Sequence, residues 1–412
     1  MKILYRLISA LIYFTLWPYG RVRALFGCKT WRGRLGLIEK AGPVDIWLHA
    51  SSVGETKIAR YLIDYLHKKN PELRIYLTTM THAGQVIAEA LTKAQVKTGY
   101  LPIDSIGPVN RTIRKVNPHL VVITETEIWP NLITQCHIEN IPIILVNGRM
   151  SEKAFSKYKL IPKMMSELLA FYEEFFVKTE EDKNRFSYFG VITNKLAVAG
   201  DMKFDAPLLD RSEQKIQEIR KLLGAGERDF VLVAGSTRPG EETLLFNLFS
   251  NLSGAGAPIR LVIAPRHLNR IEQLKAEMSL QNLEFGIYGS GNGVSPITLV
   301  DKMGELDRLY QAANLAFVGG TLVNVGGHNI LEPVWAGTPV VFGPYVNNVI
   351  EAKDYVLHHN YGAMVNDIAE LTDLTARVKA GEKTFSIKEE KDLKNSPTAI
   401  VGEYILGRIA NV

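Results

Sequence analysis

Cysteine is nearly absent from this sequence of 412 residues, which contains only Cys28 and Cys136. The two form neither a C-x-x-C pair nor a cluster with histidine at the spacing of zinc ligands. This argues against a structural metal site and is typical of a protein in a reducing compartment. A chain of this length can bury two or three cores of ordinary size, so stability requires neither a disulfide nor a metal ion.

Several common signatures of nucleotide binding and catalysis are also missing. The sequence has no G-x-x-x-x-G-K-[ST] loop for a nucleoside triphosphate and no G-x-S-x-G turn for a nucleophilic serine. It also lacks an Asp-x-Asp pair of the kind that holds a divalent ion on a nucleotide diphosphate. The absences argue against P-loop enzymes, against serine hydrolases of that type and against transferases that need such an ion.

The apolar run at residues 7–17 is shorter than the roughly 20 residues that a membrane-spanning helix needs. Residues 1–40 around it hold eight basic side chains and one acid, whereas the whole chain has a net charge of only +5. Trp17 and Tyr19 close the run, which favours a helix that inserts at an anionic membrane surface. A helix packed on its own protein and an uncleaved single-pass anchor are the alternatives. Such local basicity is not typical of a nucleic-acid-binding protein.

From residue 44 onward, short β-branched apolar runs alternate with amphipathic stretches of helical length, which predicts parallel sheets with crossover helices. The fold class is therefore α/β, with two doubly wound, Rossmann-like domains. The predicted strands lie at residues 46–50, 74–79, 120–124, 141–147, 174–178 and 196–199, then at 230–235, 260–265, 297–300, 315–319 and 340–343. The predicted segments are 1–40 (basic and apolar), 41–207 and 208–395 (the two domains), and 396–412 (a helix that could cross back to the first domain).

Candidate site residues follow the strands, because ligands of doubly wound sheets bind outside the carboxyl ends of the strands. Glu55 ends the first such loop, where a carboxylate can act as a general base. Ser52 and Glu55 also have the spacing of a capping box, so helix capping is the alternative. Glu125 either stabilises positive charge on a sugar ring or pairs with a buried basic residue. For Glu127 the pattern indicates a helix cap.

Basic residues occupy three further loops. Lys203, at the end of the first predicted domain, is suited to an anionic substrate, and an ion pair with a neighbouring aspartate is the alternative. In the second domain, Arg238 and Arg266 follow the strands at 230–235 and 260–265, and arginine offers a forked donor to phosphate. Either arginine loop alone is a weak signal.

The strongest motif is the glycine-rich stretch at residues 319–333. A strand runs into this loop, and a helix is predicted to start near His328. The backbone N–H groups of a helix start form an anion site. Glu332, one turn into the helix, could accept both hydroxyls of a ribose. A purely structural glycine loop is the alternative.

Taken together, these stretches resemble the Kdo transferases, two-domain glycosyltransferases of the GT-B type that move 3-deoxy-D-manno-octulosonate (Kdo) from CMP-Kdo to a lipid A precursor. The motifs Ser-Ser-x-Gly-Glu and Glu-x-Glu-x-Trp-Pro-Asn are specific in combination with Gly-Gly-His-Asn-x-Leu-Glu-Pro, which alone is shared in part with other GT-B enzymes. The resemblance covers the N-terminal segment and residues 49–55, 125–131, 147–151, 200–205, 265–266, 304–306 and 326–333.

The resemblance implies a role for each matching residue. Glu55 would be the proton acceptor, and Glu125 and Lys203 would stabilise the transition state. Domain 41–207 would bind the acceptor and domain 208–395 the CMP-sugar, with a cleft between them. The implied CMP-binding residues are Pro265, Arg266, Gly304, Glu305, Leu306, Gly326, Gly327, His328, Asn329, Ile330, Leu331 and Glu332.

It further implies an inverting reaction in lipopolysaccharide core biosynthesis that uses neither a metal ion nor a cofactor. The expected partners are CMP-Kdo, the lipid A precursor (lipid IVA) and the membrane surface, with no nucleic acid. The expected location is the cytoplasmic face of the cell inner membrane. The alternatives are another GT-B nucleotide-sugar transferase or epimerase, and a two-domain binding protein that closes on a ligand without chemistry.

Overall fold

The computed structural model describes residues 2–91, 95–206, 209, 211–254, 256, 258–289, 295–389 and 395–410. Contacts divide the chain into two compact units. The first unit is Met1–Ala206 with Leu393–Val412, and the second unit is Pro207–Asp392. Each unit is built on one parallel sheet of seven strands.

The first unit contains a strand or helix at each of these positions: α1 (Lys2–Leu25), α2 (Lys29–Arg34), β1 (Val44–His49), α3 (Val53–Lys69), β2 (Ile75–Thr79), α4 (His82–Ala90), β3 (Val96–Tyr100), α5 (Ile106–Val116), β4 (Pro118–Thr124), α6 (Pro130–Ile138), β5 (Ile143–Gly148), α7 (Glu152–Tyr158), α8 (Pro162–Leu169), β6 (Glu174–Val177), α9 (Glu180–Tyr188), β7 (Leu196–Val198) and, after the second unit, α17 (Pro397–Ala410). Short 3-10 helices cover Thr193–Lys195 and Met202–Asp205.

The second unit contains α10 (Glu213–Leu222), β8 (Phe230–Thr237), α11 (Glu241–Leu252), β9 (Ile259–Pro265), α12 (Ile271–Leu280), β10 (Phe285–Ile287), β11 (Ile297–Leu299), α13 (Leu306–Gln311), β12 (Leu315–Val318), α14 (Leu331–Trp335), β13 (Val340–Phe342), α15 (Ile350–His358), β14 (Gly362–Met364) and α16 (Ile368–Lys379). A 3-10 helix covers Leu268–Arg270.

Both faces of each sheet are buried because the central strands are apolar throughout. Side chains alternate in direction along a strand, so neighbouring residues enter different cores. Ile46 of β1 packs into one core of the first unit and Trp47 into the other. In β8 of the second unit, Leu232 and Val233 divide in the same way. The predicted α/β class with two parallel sheets is confirmed.

Polar side chains fix the starts of several helices. At each of five N-termini, a Ser, Thr or Asp oxygen accepts a hydrogen bond from the backbone N–H three residues later, which satisfies one amide that the helix leaves unpaired. The capping residues are Ser52 of α3, Thr81 of α4, Ser151 of α7, Thr179 of α9 and Asp367 of α16.

The strand order places the switch point of each sheet beside a candidate site. The first sheet has the order β3-β2-β1-β4-β5-β6-β7, and the second has the order β10-β11-β9-β8-β12-β13-β14. The direction of winding reverses between β1 and β4 and again between β8 and β12. Loops that follow these strands therefore lie where doubly wound sheets bind ligands.

Three strands were not predicted from the sequence, namely β3, β10 and β14. All three lie at the edges of their sheets. Strand β3 has an exposed lysine, Lys97, between its apolar residues, and the other two contain only three residues each. Edge strands need fewer apolar residues than central ones, so the hydrophobic pattern is weak there.

Helix α1 is longer than the apolar run that predicted it, and its two faces differ. One face packs on the protein: the Tyr5 hydroxyl donates to Asp104 at 2.8 Å, and the Asn131 amide donates to the Ser9 hydroxyl at 3.0 Å. The other face carries large exposed apolar side chains, among which Leu7, Leu11 and Phe14 are between 65% and 69% exposed. Within the described ranges, none of the helices combines the length and apolar character that crossing a bilayer requires.

Helix α17 follows the second unit in the chain but packs in the first. Tyr65 of α3 donates its hydroxyl to Glu403 at 2.6 Å, and the backbone N–H of Thr398 donates to Asp205, also at 2.6 Å. Gly402 lies so close to the Tyr65 ring that an added Cβ would meet it at 2.4 Å. The absence of a side chain at Gly402 therefore permits the close packing of these two helices.

Candidate functional site

Glu55 lies at the carboxyl edge of the first sheet, in the first turn of α3. The Ser52 side chain caps this helix. The Glu55 carboxylate binds the segment just before the helix, because its Oε2 accepts a hydrogen bond from the Ser51 N–H at 2.8 Å. The Thr124 hydroxyl, at the end of β4, donates to the same oxygen at 3.2 Å. The capping role expected of Ser52 and Glu55 is thus present, although the bonded amide belongs to Ser51 rather than Ser52.

The second oxygen of Glu55 is differently placed. Among the described residues, Oε1 accepts no hydrogen bond, while the side chain as a whole is 7% exposed. Capping therefore uses only one half of the carboxylate. The other half is available to accept a hydrogen bond from a substrate hydroxyl, which is the geometry that a general base needs.

Glu125, Lys178, Asp201 and Lys203 form a chain of alternating charges at the same sheet edge as Glu55. The Lys178 ammonium lies 3.3 Å from Glu125 Oε1 and 3.2 Å from Asp201 Oδ2. Lys203 lies 3.2 Å from the same Asp201 oxygen. Lys178 and Asp201 are buried, whereas the side chains of Glu125 and Lys203 are 35% and 37% exposed. The charges of Lys178 and Asp201 are thus paired inside the protein, whereas the two residues at the ends of this row of ion pairs are accessible to solvent.

These contacts match the ion-pair alternatives for Glu125 and Lys203. They do not exclude a catalytic role, because each residue keeps an exposed head. Lys178 was not among the candidates from the sequence, although it directly follows an apolar strand, β6. A basic residue directly after one strand and an acid directly after another strand of the same sheet together indicate a candidate ion pair at the sheet edge.

Glu125 also has an unusual backbone. Its φ angle is +53°, in the left-handed region, while its N–H donates to Val146 at 2.9 Å as a continuation of the sheet. Residues other than glycine rarely adopt this backbone conformation, which costs of order 1 kcal/mol. The strained residue is the one that turns the chain out of β4, and its carboxylate lies 3.3 Å from the Lys178 ammonium.

Glu127 does not cap α6, contrary to the expectation, since that helix begins at Pro130 without a side-chain cap. Its Oε2 accepts instead from Trp129 Nε1 at 2.9 Å and lies 3.4 Å from Nε2 of the buried His49. Burial raises the pKa of Glu127, but hydrogen bonds from His49, Ser51 and Trp129 outweigh it and lower the pKa overall. Sequence reasoning did not single out His49, because a polar residue at a strand end has no fixed direction until the register is known.

In the second unit, the CMP-binding candidates lie in loops along one sheet edge. Pro265 ends β9, and the Arg266 N–H donates to Thr237 of the adjacent β8 at 3.1 Å. Gly304 has a φ of +87°, which suits glycine, and residues 305–306 begin α13. The structure thus brings the candidates after β9, β11 and β12 to the same edge.

The prediction of a helix start near His328 is wrong. Helix α14 begins at Leu331 and has five residues, and the His328 N–H is directed at Gly319 O at 3.4 Å. The preceding Gly326 and Gly327 have left-handed φ angles of +93° and +84°.

The remaining members of this motif have local partners. Asn329 Oδ1 accepts from Leu331 N, and Asn329 Nδ2 donates to Glu332 Oε1, both at 3.2 Å. The side chain of Ile330 is buried, so its part in the loop is packing. Asn329 and Glu332 therefore present a linked pair of polar groups next to the glycine loop.

Comparison with known proteins agrees with this geometry. The sequence profile of the family described as 3-Deoxy-D-manno-octulosonic-acid transferase (kdotransferase) matches residues 29–206. The 3-deoxy-D-manno-octulosonic acid transferase of Haemophilus influenzae is 30% identical over 384 residues, which cover 89% of this chain and 87% of that protein.

Of two further matches, one is a longer protein and the other has low sequence identity. A bifunctional glycosyltransferase/methyltransferase of Fusobacterium nucleatum subsp. nucleatum is 35% identical over 85% of this chain, which spans only about half (54%) of that longer protein. The UDP-GlcNAc 2-epimerase of Neisseria meningitidis, solved with UDP-GlcNAc, matches 90% of this chain and 100% of its own with a TM-score of 0.54 and 13% identity, and shares the GT-B-like fold alone. The chain therefore belongs to the Kdo transferase family of glycosyltransferases.

Proposed function

We propose that this protein transfers Kdo from CMP-Kdo to a lipid A precursor, lipid IVA, in lipopolysaccharide core biosynthesis. The observation that carries the proposal is the half-occupied Glu55 carboxylate, with one oxygen fixed by Ser51 and Thr124 and the other without a partner among the described residues. Membership of the Kdo transferase family supports a Kdo donor, and the lipid acceptor is part of the proposal.

In the proposed reaction, Glu55 accepts the proton of an acceptor hydroxyl as that oxygen bonds to the anomeric carbon of Kdo. The bond from this carbon to the phosphate oxygen of CMP breaks, and CMP leaves with the electron pair. One base and one displacement invert the anomeric centre. The reaction needs no metal ion if side chains stabilise the departing monophosphate.

Glu125 and Lys203 have complementary roles in this scheme. Glycosyl transfer passes through an oxocarbenium-like state, and a carboxylate near the ring stabilises its positive charge. Glu125, held by Lys178 at 3.3 Å, supplies that carboxylate. Lys203, exposed at the other end of the same ion-pair chain, is suited to an anionic substrate group.

Helix α1 is proposed to lie in the cytoplasmic face of the cell inner membrane. Its exposed face is apolar, and the basic side chains of residues 1–40 suit an anionic surface. Because the acceptor is itself a lipid, a membrane-bound first unit would find it at high local concentration.

The experiment is incubation of the full chain in lipid vesicles with freshly prepared CMP-Kdo and lipid IVA, followed by mass spectrometry of the lipid. The expected product is heavier by one or more Kdo residues, with release of CMP. UDP-sugars in place of CMP-Kdo serve as the control for another nucleotide-sugar transferase. Lipid of unchanged mass with CMP-Kdo would refute the proposal.

A further inference from the structure

The proposed donor carries a phosphate and a carboxylate, so the second unit needs a site for negative charge. The helix start that was expected to supply it is absent at His328, because α14 begins only at Leu331. The switch point between β8 and β12 nevertheless gathers basic side chains. They come from the loops after β8, β9 and β12, which are adjacent strands.

Arg238 is the centre of this group. Its Nε donates to His328 Nε2 at 3.0 Å, and its Nη1 lies 2.7 Å from His267 Nε2. Arginine is only a donor, so both of these imidazole nitrogens accept. Within the described part of the chain, no carboxylate lies within ion-pair distance of the Arg238 guanidinium.

The pKa of His328 is lowered in this environment. Burial lowers its pKa first, and the positive charge of Arg238, Arg266 and His267 lowers it further. A bound anion would reverse the electrostatic part of this effect. Charge-assisted hydrogen bonds to an anion are roughly twice as strong as bonds to a neutral acceptor, so an anion would displace an imidazole as the partner of Arg238.

The nearest acid in sequence, Glu241, is turned away from Arg238's side chain and is fully buried. Its Oε2 accepts the N–H groups of Arg238 at 2.9 Å and Gly320 at 2.8 Å, and its Oε1 accepts those of Thr321 at 3.1 Å and Leu322 at 3.0 Å. One carboxylate thus joins the turn after β8 to the glycine loop after β12.

The close approach of these two loops depends on Gly319. An added Cβ there would lie 2.5 Å from Ser236 O and 2.8 Å from Glu241 Oε2. The glycine at this position is therefore needed for the junction itself. The junction holds Arg238 and His328 in register before any ligand is present.

We propose that Arg238, together with His267 and His328, binds the phosphate or the carboxylate of the nucleotide sugar, and that Glu241 is the residue that positions Arg238. This inference rests on the proposed CMP-Kdo donor and adds a binding site to it. Arg266, exposed beside the cluster, adds positive charge at the same sheet edge.

The first test is calorimetric titration of CMP and of cytidine into the full chain and into Arg238→Gln. The exposed Arg228, changed to Gln, is the matched control. Loss of a charged hydrogen bond to phosphate predicts about ten- to hundredfold weaker CMP binding, with cytidine binding unchanged. If CMP binding is unchanged and the KM for CMP-Kdo rises about tenfold, the bound group is the carboxylate.

Unchanged CMP affinity and unchanged KM in Arg238→Gln would overturn the inference. If the unaltered chain transfers no Kdo, inorganic phosphate is the probe, so that the two proposals fail separately. Phosphate binding that depends on Arg238 retains the anion site without the proposed reaction, and phosphate binding that does not depend on it removes the site.

The second test addresses Glu241. If it acts through Arg238, Glu241→Gln weakens CMP binding, and adding it to Arg238→Gln produces no further loss. Additive losses would show that Glu241 has only a general structural role. Should Glu241→Gln fail to fold, Arg238→Lys replaces it: a lysine keeps the charge but not the fork, and is expected to restore part of the affinity that Arg238→Gln loses.

Discussion

The carboxyl edges of the two sheets manage charge in opposite ways. At the edge of the first unit Lys178 lies between two acids, Glu125 and Asp201. At the edge of the second unit Arg238 faces two imidazoles, while the buried acid Glu241 is occupied by backbone amides. In the proposed reaction, the first arrangement would supply carboxylates for a proton and for a positively charged sugar ring. The second leaves positive charge available for an anion.

Glu55→Gln should produce the largest effect and tests whether the first edge supplies the base. The amide oxygen can still accept from Ser51 and Thr124, so α3 should begin as before, but the side chain can no longer take a proton. We expect kcat to fall by about 10²–10⁴-fold, with CMP affinity unchanged because the CMP-binding candidates lie in the second unit. Glu139→Gln, at an exposed site, is the control. Transfer near the unaltered rate would remove Glu55 as the base.

Lys178→Met tests whether charge pairing at the first edge stabilises the fold. It leaves Glu125 and Asp201 without their shared cation, and removal of one partner from a buried ion pair costs roughly 3 kcal/mol of unfolding free energy. Lys183→Met is the matched control. Lys183 lies 3.7 Å from Glu180, whose side chain is exposed, and such surface pairs contribute less than about 1 kcal/mol. Urea denaturation compares the two. Equal losses would mean that burial of this pair is without consequence.

Leu11→Ser tests the other feature that only the first unit has, the exposed apolar face of α1. Leu11 is 68% exposed, so the change should spare the folded state and weaken binding to vesicles of anionic phospholipid about tenfold. Leu280→Ser removes a leucine that is still more exposed, at 84%, from the second unit and should leave binding unchanged. Cosedimentation measures both variants, and identical behaviour would contradict a membrane role for this face.

Glu127→Gln should give the smallest effect and concerns pH. The pKa of Glu127 is lowered in the folded protein, so its stabilisation is present above the unfolded value of about 4.3 and is lost as pH falls through the folded value. Between pH 7 and pH 3 the unfolding free energy of the unaltered chain should therefore fall by about 1 kcal/mol more than that of the variant. Asp45 and Asp229 also have lowered pKa values, but both residues are present in both proteins, so their contributions cancel in the difference between the two curves. Parallel curves would contradict the expectation.

The central strands could be predicted from the sequence because they are buried on both faces and read as continuous apolar runs. Strand β3 could not, since Lys97 interrupts it and only one neighbour, β2, pairs with it. The same physics explains the candidate site. Glu125 was found because acids directly after a buried strand are costly unless they are solvated or paired. Glu55 was found because it ends a loop at the edge where doubly wound sheets bind ligands.

Other parts of the site depended on distances that no sequence pattern contains. Lys178 and His49 became visible only when the register placed them beside Glu125 and Glu127. The helix after the glycine loop was predicted three residues too early, because the Asn329 side chain accepts from the Leu331 N–H, a local bond that competes with the helix. The catalytic and CMP-binding roles of the named residues stay predictions until the variants are measured.

The placement of α17 has a consequence for synthesis on the ribosome. Residues 207–392 form a contiguous unit, whereas the first unit contains α3 and the distant α17, joined by a hydrogen bond between residues 338 positions apart in sequence. Contacts this remote in sequence form late, and domains generally fold as they emerge. We expect the second unit to complete its fold before the first, whose α3 surface stays uncovered until α17 has emerged from the ribosome.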